Sequence, residues 1–200
     1  MAKQRLKSPR ARMFVALDLP GRVRQGLAGW GERELRDPAL RPVAPESLHV
    51  TLAFLGWTAE KEVGRLAEIV GEMAGPAPSL RLGDPVQRPQ RGRARLFALP
   101  VESAGAIELQ GALQERLVAA RLYEPEKRPF WPHVTVARVR REERGKQRPA
   151  LVEKRPGALP KGLLRAFGGV RITLYRSELQ PQGAQHTPLA QVELPTGGRQ

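Results

Sequence analysis

His49-Val50-Thr51-Leu52 and His133-Val134-Thr135-Val136 are near copies of one tetrapeptide. The first lies in the apolar, β-branched run Leu48 to Trp57 and the second in His133 to Val139, and both runs predict strands. In a strand the side chains at i and i+2 leave from one face, so each copy presents an imidazole beside a hydroxyl while its apolar residues turn to the core. The chain has three His and six Thr, so two of the three His followed by Thr at i+2 would arise by chance on the order of once in a thousand.

Working outward, Met13 to Leu19 reads as a buried strand closed by Pro20-Gly21, after a basic flexible tail over residues 1–12. Val23, Leu27 and Trp30 recur at helical spacing, which predicts a helix from Gly21 to Leu35. Thr58 is the expected N-cap of a second helix carrying Val63, Leu66, Val70, Met73 and Ala74 on one face. Short strands are expected at 80–82 and 94–101. Ser103 is the expected cap of a third helix with Ala106, Leu109, Leu113, Leu117 and Ala120 inside. Residues 140–157, rich in Pro, Gly and basic side chains, read as a mobile surface loop. Two antiparallel strands, 170–179 and 189–194, are expected to follow, joined through Pro181-Gln182-Gly183, with 195–200 as a tail. Strands mixed with about three helices and short connections imply an α+β fold, a single domain over 13–194.

The 200 residues hold 40% hydrophobic and 27% charged side chains, ordinary for a packed globular chain. No cysteine is present, which removes disulfides, thiolate metal sites and a cysteine nucleophile and makes the cytoplasm the expected compartment. No uncharged stretch is long enough for a membrane span. The formal charge of +14 is concentrated in three segments, 1–12, 81–95 and 138–155. Clustered Arg and Lys suit a polyanion such as RNA, since they release counterions from its phosphates; an Arg-rich solvated surface explains the charge equally well.

Two strands of the His-x-Thr type facing each other would place two imidazoles and two hydroxyls around one centre. With ordinary pKa near 6.5, one imidazole is neutral and the other protonated near neutral pH, as concerted general base and general acid require. Hydroxyls donating to non-bridging oxygens suit a phosphoryl group. The pattern describes phosphodiester cleavage without a metal or other cofactor; the reading set against it is that both His are half-buried strand residues satisfied by backbone carbonyls.

The blocks Ser47-Leu-His-Val-Thr-Leu-Ala-Phe-Leu-Gly56 and Arg128-Pro-Phe-Trp-Pro-His-Val-Thr-Val-Ala-Arg138 resemble the two signatures of the two-histidine phosphoesterase superfamily. With the opening at Arg12 to Pro20 and the closing Thr173-Leu-Tyr-Arg-Ser-Glu-Leu179, the chain is similar over residues 12–194 to the RNA 2′,3′-cyclic phosphodiesterases, also called 2′-5′ RNA ligases. The resemblance implies a bilobal fold in which two pseudo-symmetric lobes with antiparallel sheets face a central groove, helices outside. It implies hydrolysis of RNA 2′,3′-cyclic phosphate ends to 2′-phosphate, tRNA fragments among the substrates, with 2′-5′ ligation as the reverse reaction. His49 and His133 would be catalytic, with Thr51, Thr135 and Arg138 at the phosphate. A monomer is expected.

Strict alternation sends Arg138 to the face opposite His133, so either a bulge returns it to the groove or it is a solvated surface Arg. Phe14, Arg128, Trp131 and His186 are candidates for nucleotide contacts. The readings set against them are core packing for Phe14 and Trp131, loop positioning for Arg128, and a structural or groove-edge place for His186, which stands where relatives often carry Tyr. Asp18 is expected to cap the first helix. A non-enzymatic RNA-binding module would explain the charge but not the paired motif. A metal-dependent phosphohydrolase ranks last, because neither His block has a carboxylate at ligand spacing.

Overall fold

The computed structural model describes residues 8–142, 148–180 and 183–195. In chain order it comprises β1 (Arg10–Asp18), α1 (Gly21–Glu34), β2 (Leu40–Pro42), β3 (His49–Ala59), α2 (Val63–Gly71), β4 (Ser79–Leu82), β5 (Val86–Arg88), β6 (Leu96–Glu102), α3 (Ala104–Ala119), β7 (His133–Val139), β8 (Phe167–Gly168), β9 (Arg171–Gln180) and β10 (Gly183–Glu193). The strands pair antiparallel in the order β10-β9-β1-β3-β7-β6-β4-β8, with β2 added to β7 and β5 to β6. The fold is α+β, as the alternating runs predict. Its two lobes are the arms β10-β9-β1-β3 and β7-β6-β4, and they meet where Val50 of β3 pairs with Val134 of β7.

That junction follows from the sequence. Val50 and Val134 are fully buried, and the residues on either side of each, the His and the Thr, are only partly so. Period two therefore sends the valines into the core and all four polar side chains to the opposite face. Helices cover the core side. The buried stripe Leu66, Ile69 and Val70 of α2 packs on β9 and β10, and Ala106, Leu113 and Leu117 of α3 pack toward β3 and β4. Ser103 caps α3, its hydroxyl accepting from the Ala106 N–H at 3.0 Å. In α1 the stripe is Val23, Leu27 and Trp30, and the indole N–H donates to the Ala158 carbonyl at 3.2 Å.

Four local readings are corrected. β1 begins at Arg10, because Arg10 to Arg12 pair with Ala59 to Trp57; residues 1–7 and 196–200, where the tails were expected, lie outside the described residues. Thr58 caps no helix: β3 runs on to Ala59, the Thr58 hydroxyl donates to the Leu55 carbonyl at 3.1 Å, and α2 starts at Val63. The last strand starts at Gly183 rather than Leu189, since polar residues and Pro188 on a half-exposed strand hide the alternation; Pro181 and Gln182 lie outside the described residues. Residues 148–157 are pinned rather than loose. Asp37 accepts from the N–H groups of Glu153 and Lys154 at 2.8 Å each, and Glu34 from that of Gly157 at 3.0 Å; the mobility expected of 143–147 falls outside the described residues.

Candidate active site

Antiparallel register around Val50 and Val134 turns His49 toward the Thr135 side of β7 and His133 toward the Thr51 side of β3. All four side chains line one groove of about 1060 Å³, together with Phe14, Arg12, Arg41, Phe54, Arg138, Tyr175 and His186.

Each imidazole is held by the backbone two residues before it. His49 Nδ1 lies 2.8 Å from the Ser47 carbonyl and His133 Nδ1 lies 2.7 Å from the Trp131 carbonyl. A carbonyl only accepts, so the proton of each neutral ring sits on Nδ1 and Nε2 carries the lone pair. In His49 that Nε2 accepts from the Thr51 hydroxyl at 3.1 Å. The residues that supply the carbonyls are fixed locally: Ser47 ends a short helical turn begun by Pro45, and Trp131 is kept extended by Pro132.

The packing around the two rings differs. His49 belongs to a four-ring cluster with Phe14, Tyr175 and His186, all centroid pairs lying between 4.8 and 6.2 Å. Burial, then the charge that His186 can carry, pushes the His49 pKa down to about 4. His133 stacks on Trp131 at 4.2 Å and 15°, and the Arg88 guanidinium lies over the same indole, 3.8 Å from its centroid. Its pKa is lowered by burial and by Arg88 and Arg138.

Arg138 reaches the groove through a bulge. In β7, Thr135 pairs with Ala98 and Ala137 with Phe97, so Val136 is the extra residue; Val136 and Ala137 are both buried and the alternation slips by one. The same slip occurs in β3, where Leu52 is extra between Thr51 and Ala53 and both Leu52 and Ala53 are buried. Phe54 thereby occupies on β3 the position that Arg138 holds on β7. Arg41 sits directly opposite Arg138 in the β2–β7 pair. Partial burial, Arg41 and Arg12 together lower the Arg138 pKa, so three guanidinium groups share one region of the groove. Among the described residues none of the three forms an ion pair.

Asp18 is not a helix cap. It is buried, and its carboxylate accepts from Arg171 Nε at 2.7 Å, the Thr173 hydroxyl at 2.9 Å and the Tyr175 hydroxyl at 3.0 Å. It thus fixes three side chains of β9, Tyr175 among them, whose pKa burial and the neighbouring carboxylate push up to about 12. The groove also gathers Arg12, Arg41 and Phe54, which sequence reasoning did not single out; the signal for Phe54 lay in its place after the first His-x-Thr, matching Arg138 after the second. Arg128 is exposed and does not line the groove. Trp131 is committed to the His133 ring, and His186 sits edge-on to Phe14 at 4.8 Å, its buried Nδ1 without a hydrogen-bond partner among the described residues. Among the described residues of the basic segments 81–95 and 138–155, only Arg138 lines the groove; Arg93 is paired with Glu142.

The profile of the 2′-5′ RNA ligase superfamily matches residues 21–160, both His-x-Thr strands included. The chain belongs to this superfamily. Among curated relatives, the RNA 2′,3′-cyclic phosphodiesterase of Thermus thermophilus is 31% identical over 92% of this chain and 90% of its own length. The Escherichia coli protein of the same name is 29% identical over 89% and 93%. A crystal structure of a Thermus thermophilus protein superposes with a TM-score of 0.76 at 28% identity, covering 94% of this chain and all of that one (100%). Escherichia coli LigT complexed with 3′-AMP gives 0.70 at 29% identity over 93% and 99%. No helix among the described residues is long and apolar enough to cross a membrane.

Proposed function

We propose that this member of the superfamily hydrolyses the 2′,3′-cyclic phosphate at an RNA end to a 2′-phosphate, with His49 and His133 as the acid–base pair and no metal in the step. The observation that carries the reading is the junction itself: two His-x-Thr strands paired at Val50 and Val134, each imidazole fixed by Nδ1, with Nε2 of His49 beside the Thr51 hydroxyl.

The step balances on those groups. A neutral imidazole takes a proton from water as the water oxygen bonds to phosphorus, the bond from phosphorus to O3′ breaks, and the other imidazole, protonated beforehand, delivers its proton to O3′. In-line displacement needs the two groups on opposite sides of phosphorus, and a local two-fold between the two strands supports that placement. Thr51, Thr135 and Arg138 line the same groove and would meet the non-bridging oxygens. Run in the same direction with an RNA 5′-hydroxyl in place of water, the same step joins ends through a 2′-5′ linkage and frees the 3′-hydroxyl, tRNA fragments included. A groove lined within one chain supports a monomer as the working unit, and the lack of cysteine supports the cytoplasm.

Chelator-treated protein should convert an RNA bearing a 2′,3′-cyclic end to a product heavier by one water, with the phosphate on O2′. A 3′-phosphate product, or activity that chelation removes and a divalent ion restores, overturns the reading.

A further inference from the structure

The groove face does not end at the rings around His49. Register places His49 beside Asp18 and Arg171, then Phe54 beside Phe14 and Tyr175, then Trp57 beside Arg12 and Ser177. Opposed residues of an antiparallel pair share a face, so Trp57 stands on the same side of the sheet as Arg12. From Asp18 to Arg12 is six residues of β1, about 20 Å at ~3.4 Å per residue, farther than one nucleotide reaches.

Side chains in this outer region are exposed where a sheet face is usually covered or polar: Phe54 at 53%, Trp57 at 63% and, on β9, Leu179 at 73%. The Phe54 ring is 6.1 Å from Phe14, so the aromatic surface is continuous with the cluster at His49. Cations flank the outer ring: Arg12 lies beside Trp57 and Arg10 beyond it, opposite Ala59. Arg12 and Arg10 are exposed on the neighbouring strand, and the Arg10 guanidinium donates to the Trp57 carbonyl. β3 carries no acid, and β1 none before Asp18. Trp57 itself lines a separate shallow cleft of about 460 Å³ with Arg10, Arg121 and the paired Arg65 and Glu62.

Exposed rings with guanidinium groups beside and beyond them, on a strip that starts at a phosphoryl site, match the bases and phosphates of one strand. We infer that this strip is a track for the single-stranded RNA lying 5′ of the reacting end, Phe54 and Trp57 stacking successive bases and Arg12 and Arg10 meeting the phosphates beside and beyond Trp57. The inference rests on the function proposed above. It makes an oligonucleotide end, rather than a cyclic mononucleotide, the substrate this chain is shaped for.

The test compares a 2′,3′-cyclic mononucleotide with a tetranucleotide carrying the same cyclic end, and measures binding of a 5′-labelled tetranucleotide with a 2′-phosphate end by fluorescence anisotropy. Trp57→Ala should weaken tetranucleotide binding about tenfold and lower its kcat/KM by a similar factor, leaving mononucleotide turnover unchanged. Trp57→Phe, which keeps a ring, should recover most of the loss. Tetranucleotide binding indifferent to Trp57→Ala, as expected if the patch serves a protein partner, overturns the track; so does a parallel loss on both substrates. Wild-type protein that binds the tetranucleotide through Trp57 but opens neither cyclic end would leave the track standing and remove the catalytic reading instead.

Discussion

Val50 lies opposite Val134, both side chains fully buried, and this one pair joins the two arms of the sheet. Because side chains alternate, burying the two valines obliges His49, Thr51, His133 and Thr135 to share the other face. A one-residue slip of β7 against β3 would send its His and Thr into the core and its valines to water. The hydrophobic effect on two valines, about 1.5–3 kcal/mol each, therefore also fixes the geometry of the polar centre.

Two imidazoles acting in one step lose most of the rate when either is removed. His49→Ala and His133→Ala should each lower kcat by at least ~10²- to 10⁴-fold. The double variant should be little worse than the worse single one. Folded single variants with near wild-type turnover, or losses that multiply, would mean the two rings do not work together.

The pH dependence has a definite sign. Both imidazoles have pKa values below the ordinary one, His49 at about 4, so above pH 6.5 the free protein holds both neutral and lacks its acid. The kcat/KM profile should therefore peak below pH 6.5 and fall on the alkaline side, with the limbs belonging to the coupled pair. Bound phosphate raises both pKa values, so kcat should peak at higher pH than kcat/KM. Stability follows the same shift. A His depressed in the fold contributes fully above pH 6.5 and loses that contribution as pH falls toward 4, so the Tm should drop in that window, less steeply in His49→Gln. A kcat/KM maximum above pH 7 would contradict the burial of the pair.

What the sequence reveals and what it hides divide along physical lines. The two strands, the helical stripes of α1 and α3 and the Ser103 cap depend on neighbours in the chain and are legible. The bulge at Val136 is not, because period two has no mark for an inserted residue until Ala137 is known to be buried. Asp18 misleads for a different reason. A carboxylate before a helix has the local look of a cap, but its partners Arg171, Thr173 and Tyr175 arrive more than 150 residues later. Charge misleads in the same way: of the three basic segments, 81–95 and 138–155 supply the groove, among the described residues, with Arg138 alone, while Arg12 comes from the first segment and Arg41 from outside all three.

Asp18→Asn keeps the shape of the side chain and deletes its charge. An amide oxygen cannot replace both carboxylate oxygens for three donors, so stability should fall by about 1–3 kcal/mol. Tyr175, held up at about 12 by burial and this carboxylate, should titrate at lower pH in the variant, read from tyrosinate absorbance. The Tyr175 ring lies 6.2 Å from His49, so KM should rise as that wall of the groove loosens. An unchanged Tm and tyrosine titration would show that Asp18 does not hold β9.

Arg41 and Arg138 face each other across the β2–β7 pair with Arg12 near by, an arrangement that costs stability until an anion enters. Inorganic phosphate should raise the Tm of the wild-type protein by mass action. Arg41→Gln removes one side of the repulsion, roughly 0.5 kcal/mol, so the ligand-free Tm should rise by about 1–2 °C. The same variant should lose most of the phosphate-induced rise, and the salt dependence of oligonucleotide binding should flatten by about 0.7 in log K per decade for each phosphate that is no longer neutralised. If Arg41→Gln lowers the ligand-free Tm and leaves the phosphate response intact, the three guanidinium groups are solvated surface charge and the anion sits elsewhere in the groove.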